Sequence, residues 1–240
     1  DMMYVAAIMA FAPTLLLMYA VLMNYTYPKV QQPFFSDPAL FGLFAVGLVA
    51  GTLLFAAYTW FNWSNMIYMA LFAAIECLAI VTVLNLKRFH GKSDTVFYGY
   101  GLGLGVGCAF ALGTVFYLGT AIVGIDDTGN VDVAGYVWLF VISLSHILML
   151  SSIGTTVGEG IARLRPMEYA LQAVIVNVVF AFVLAAAYNA TENGIVFYAS
   201  LLVALVVSAA YFYLTMHVRL SKVIRDVLKM EGKPRKDVPK

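Results

Sequence analysis

Charge is the scarcest property of this sequence. Only 11% of its 240 residues are Asp, Glu, Lys or Arg, against about 25% in an ordinary soluble domain. That shortage excludes an ordinary soluble domain. A net charge of +1 gives no electrostatic argument for nucleic acid, so none is expected as a partner. Cysteine occurs twice. Cys77 and Cys108 both fall inside apolar stretches, where they read as small packing residues rather than as a disulfide or a metal pair. Acids are almost missing from the apolar segments, and Glu76 is the only Asp or Glu at the centre of one.

What is abundant is hydrophobicity, 62% of the residues. It comes in blocks of about 20 residues, the length a helix needs to cross a bilayer. The expected fold is therefore all-α, a polytopic protein of seven transmembrane helices with the lipid bilayer as its main partner. The spans are expected over about 2–23, 38–61, 65–86, 96–124, 135–158, 167–188 and 194–217. The first reads as a retained span rather than a signal peptide. A basic tail, 218–240, follows the 1–217 transmembrane domain.

The connections alternate in charge. Loop 24–37 holds Lys29, loop 87–95 three bases, loop 159–166 Arg163 and Arg165, and the stretch from Arg219 onward eight. The intervening turns at 62–64, 125–134 and 189–193 hold no base and several acids, among them Asp126, Asp127, Asp132 and Glu192. By the positive-inside rule the N-terminus lies outside and the tail in the cytoplasm, as a multi-pass protein of the plasma membrane. Residues 218–232 read as an amphipathic continuation of the last helix, with bases that anchor the topology. Asn62-Trp-Ser64 and Asn189-Ala-Thr191 are glycosylation sequons at the outer membrane surface.

An acid at mid-membrane is expensive and marks a candidate site. By residue counting, Glu76, His146 and Asn177 lie near one depth on three spans, with Gln172 earlier on the sixth. Carboxylate and imidazole are natural partners there. They suit a structural pair, a proton relay, or two ligands of a metal such as zinc. A catalytic zinc normally takes three protein ligands, and Glu76 and His146 supply two. The fourth span carries Gly99, Gly101, Gly103, Gly105 and Gly107, and the fifth Gly154 and Gly158. Their four-residue spacings predict close helix packing.

The run Asp94-Thr-Val-Phe-Tyr98-Gly99, continued by Gly103-Leu104-Gly105-Val106, resembles a signature of the PrsW family of intramembrane proteases, distantly similar to the Abi/CAAX-processing group. His146 to Gly154 matches the spacing of that family's next motif, and Ala12-Pro13 and Tyr27-Pro28 look like its opening. The resemblance implies a metal-activated water, and Glu76 and His146 as catalytic and metal-binding residues. It also marks departures. The paired acids and lysine of the family are reduced to Glu76 in Ile75-Glu76-Cys77-Leu78-Ala79-Ile80. The second carboxylate position falls on Phe110, and the late histidine on Asn177. The expectation is a degenerate member, a pseudoenzyme that binds, assembles or senses transmembrane partners. Two alternatives stay open: an active intramembrane metalloprotease using Glu76 and His146, and a proton-coupled transporter using the same pair.

The orientation has a direct check. In a background lacking Cys77 and Cys108, Lys92→Cys should react with an impermeant maleimide only after the membrane is opened. Asp132→Cys should react in intact cells. The reverse pattern rejects the N-outside orientation.

Overall fold

The computed structural model describes residues 2–60, 65–125, 131–190 and 192–239. The sequon at Asn62 to Ser64, residue Thr191 of the second sequon and the acids Asp126 and Asp127 lie outside them. The described residues form helices joined by short connections. They are α1 (Met2–Leu22), α2 (Asp37–Thr59), α3 (Met66–Leu84), α4 (Asp94–Ile125), α5 (Val133–Ala162), α6 (Pro166–Asn189), α7 (Gly194–Tyr213) and α8 (Leu220–Met230). Seven helices are long and apolar enough to cross a membrane. A six-residue π-helical segment, Leu214–Arg219, joins α7 to α8 without a break.

The glycines explain the order of packing. α4 packs most extensively on α5, then on α2. A β-carbon on Gly99 would sit 2.2 Å from the Gly154 carbonyl oxygen, and one on Gly103 would sit 2.3 Å from that of Leu150. Gly158 meets the Thr95 carbonyl in the same way. Missing side chains thus let the backbones of α4 and α5 touch, which is how helices associate where burial from water supplies no force. Gly105 faces the other way: its absent β-carbon would lie 2.2 Å from the Phe44 carbonyl of α2. Gly47 and Gly51 of α2 complete that second seam against Leu102 and Val106. One helix therefore carries two smooth faces, one turned to α5 and one to α2.

Pro13 inside α1 has no N–H and leaves the Met9 carbonyl without its helical donor. The buried Ser143 hydroxyl of α5 donates to that oxygen at 2.8 Å. A freed backbone group within lipid has to find such a partner. The Tyr100 hydroxyl likewise donates to the Leu17 carbonyl at 2.8 Å, tying α4 to α1.

α5 runs to Ala162, four residues past its expected end. The turn that stops it uses Leu164 at φ +61°. The Arg165 N–H donates to the Gly160 carbonyl at 2.7 Å and the Leu164 N–H to that of Ile161 at 3.2 Å. These are the two bonds that close a helix C-terminus through a left-handed residue, before Pro166 opens α6.

All the base-rich connections meet at one end of the bundle. Glu159, almost fully buried, pairs with Arg163 at 2.9 Å and Arg219 at 2.8 Å, and Arg163 reaches Asp226 at 3.1 Å. The Ser93 N–H donates to Glu231. Arg235 donates to the Gln32 carbonyl at 2.7 Å and lies 4.0 Å over the Phe34 ring. α8 is amphipathic, as the sequence suggests, and buries Leu220, Val223, Ile224, Val227 and Leu228. The chain beyond residue 217 is thus folded against the bundle rather than hanging from it.

Gly103→Leu should abolish folded monodisperse protein in mild detergent, because a β-carbon already collides with backbone there. Gly42→Ala should leave the elution profile and thermal midpoint unchanged, since nothing lies within 4 Å of a β-carbon at that position. Equal behaviour of the two would refute backbone contact as the organising seam.

Candidate functional site

Helix α3 packs mainly on α6, α6 is held between α3, α5 and α7, and both touch α2 and α4 only sparsely. Large side chains, not glycines, fill the space between this pair and the glycine-packed slab. They leave a cavity of about 30 Å³, which at the roughly 10–15 Å³ that one water needs holds about two water-sized species. Glu76, Phe110, His146 and Asn177, from four successive helices, all line it, with Tyr58, Phe72 and Phe180 among the remaining walls. It extends from mid-span towards the base-poor end, where Met69 and Leu184 lie.

Glu76 is 7% exposed. Its carboxylate is held by Asn177, whose Nδ2 donates to Glu76 Oε2 at 2.8 Å and to the Ala73 carbonyl at 2.9 Å. Both N–H groups of that amide are thereby used. The second hydrogen bond reaches backbone one helical turn before Glu76, so Asn177 fixes the carboxylate relative to its own helix. The expected Glu76–His146 contact is not formed. No hydrogen bond or ion pair joins them among the described residues, although they share the cavity. The nearest fit for the acid on α6 is an amide, because that side chain offers donors without adding a charge.

His146 is oriented by its own helix. Nδ1 lies 3.0 Å from the Ile142 carbonyl. A carbonyl only accepts, so Nδ1 carries the proton, and whenever the ring is neutral Nε2 keeps its lone pair. The imidazole stacks on Phe110 with centroids 6.2 Å apart and 13° between planes, and meets the edge of Phe180 at 5.6 Å. Phe110 in turn contacts Tyr58 and Phe72 at 6.1 Å each. The cavity is an aromatic chamber lined by one carboxylate, one imidazole, one amide and the phenol-bearing Tyr58.

Other expected residues fall elsewhere. Gln172 is exposed on the outer surface of α6, away from the cavity. Its depth was legible, but not the side of the helix it faces. Gly99, Gly103, Gly107, Gly154 and Gly158 lie in the α4–α5 seam and Gly105 in the α4–α2 seam. Asp94 and Tyr98 sit at the base-rich end, where burial holds the Asp94 carboxyl above its usual range. Cys77 and Cys108 are buried free thiols.

A zinc ion does not fit the groups present. Among the described residues no three of His, Cys, Asp and Glu come together, so the ligand set of a catalytic zinc is lacking. The aromatic walls were missed by sequence reading, which weighed polar residues by depth. The signal was present in Phe110 and Phe180, each at the level of the polar group it shields.

No family model, curated protein or solved structure matches the chain.

Asn177→Ala should strand a buried carboxylate oxygen and lower stability by about 1–3 kcal/mol. Adding Glu76→Leu should restore part of the loss, read as thermal midpoints in one detergent. If the double variant is less stable than Asn177→Ala alone, the two residues do not form a stabilising unit.

Proposed function

We propose that this chain is a PrsW-like membrane protein that has kept the family's site architecture and lost its hydrolytic groups. In this reading it serves as a non-proteolytic binding, assembly or sensing module for transmembrane partners. It lies in the plasma membrane with its N-terminus outside. One observation carries the reading. The four positions at which the resemblance implies reacting or ligating groups, Glu76, Phe110, His146 and Asn177, come from four helices and line one cavity. Positions picked by motif spacing alone have no reason to converge in this way. Two of the four are residues that do not hold a catalytic metal. Peptide hydrolysis by a metal-activated water needs ligands and a separate base, and Glu76 alone supplies the carboxylate. The only amide at the site is committed to that carboxylate rather than to an open coordination position.

Elemental analysis of purified protein tests this. Wild type should carry no stoichiometric zinc after growth with added zinc. Asn177→His, which supplies a third ligand on α6, should bind about one zinc per chain, as a three-ligand site does. Stoichiometric zinc in wild type would overturn the non-proteolytic reading. Failure of Asn177→His to gain zinc while remaining folded would remove the cavity as the counterpart of a PrsW centre.

A further inference from the structure

The walls of the cavity are unbalanced in their hydrogen bonding. Asn177 spends both N–H groups, on Glu76 Oε2 and on the Ala73 carbonyl. Glu76 Oε1 and His146 Nε2 have no hydrogen bond or ion pair among the described residues, while Oε2 and Nδ1 of the same side chains are engaged. Glu76 is more than nine-tenths buried. Two acceptors, one of them carboxylate, thus face a space bounded by the rings of Tyr58, Phe72, Phe110 and Phe180. Buried carboxylates require a compensating positive charge or proton, and aromatic faces attract cations, most strongly where water is excluded. The occupant that complements these walls is small, positively charged and rich in N–H donors.

We propose that this cavity binds an ammonium ion. Its size is that of a water molecule, so a cavity of about 30 Å³ takes it with room for about one water beside it. Two of its N–H groups reach Glu76 Oε1 and His146 Nε2, and the others lie against ring faces. A potassium ion has a similar radius but needs six or more oxygen ligands, and the walls offer few oxygens. A divalent cation is worse served, since harder ions demand several oxygen ligands at short range. A quaternary amine such as choline exceeds the space. The inference uses only the groups that line the cavity and stands apart from the PrsW-like reading.

The test is thermal unfolding of the full chain in detergent, after chelator treatment so that the zinc result does not enter. Ammonium chloride, potassium chloride and choline chloride are compared at equal ionic strength and at pH 7. At about 0.2 M, ammonium should raise the apparent Tm by about 3 °C over choline, with potassium showing no such rise. Glu76→Gln should abolish the shift, because the amide places its own N–H group in the cavity and removes the charge. It keeps an acceptor for Asn177, so the fold is retained. Phe72→Leu, which leaves every polar group in place, should raise the half-saturating ammonium concentration about tenfold through loss of a ring face. An equal response to potassium, a shift that survives Glu76→Gln, or no ammonium response in wild type would each overturn the proposal. Loss of the ammonium response in wild type leaves the zinc test of the preceding reading intact, so the two fail separately.

Discussion

Backbone touching backbone is the constraint on which this structure depends. In lipid the hydrophobic effect does not drive one helix onto another, so close approach and polar contact have to do so. α4 meets that requirement on two sides, through Gly99 and Gly103 against α5 and through Gly105 against α2. It becomes the most buried of the seven spans. Helices that join the slab later must pack on what is left. α3 and α6 lack glycine on their facing sides and meet through side chains. The change from backbone contact to side-chain contact is where the cavity forms. The chamber around Glu76 is thus a consequence of where glycine stops.

Most of the described polar groups inside the bundle are answered by a neighbour. The Met9 carbonyl released by Pro13 meets Ser143. The hydroxyls of Ser145, Thr155 and Thr156 bond to carbonyls four residues earlier on their own helix. Glu159, at the base-rich end, takes two guanidinium partners. A buried acid with one arginine removed costs several kcal/mol, so this triad holds the last helix in place. Against that background the open acceptors of Glu76 and His146 stand out. They lie in the one described part of the membrane interior where the protein supplies acceptors and leaves them facing a space.

Much of this was legible in the sequence. Seven spans follow from run length alone, and the alternation of basic and base-free connections correctly grouped the connections that share an end. Gly99 and Gly103 opposite Gly154 could be read from their four-residue spacing. Azimuth could not. Counting residues places Gln172 and Asn177 by depth, yet the five-residue step from one to the other turns the side chains to different sides of α6, one to the outer surface and one to Glu76. The second seam is hard to read because Gly47 and Gly51 form only a single pair on α2. The pairing of Glu76 with an amide rather than an imidazole depends on α6 packing on α3, which no local pattern encodes.

The π-helical segment between α7 and α8 sets a phase. A turn of that kind holds an extra residue relative to an α-helix, and each residue advances the helix by about 100°. The chain before Leu214 and the chain after Arg219 are therefore two helical registers on one axis. In the first, Leu201, Ala204 and Ser208 face the bundle. In the second, Leu220, Val223, Ile224 and Val227 do so, and Arg219 arrives beside Glu159. Winding the same six residues as α-helix would leave both flanking helices intact and turn every side chain of α8 by roughly 100°. The segment works as a gear tooth: it matches a surface laid down for lipid to one laid down for water.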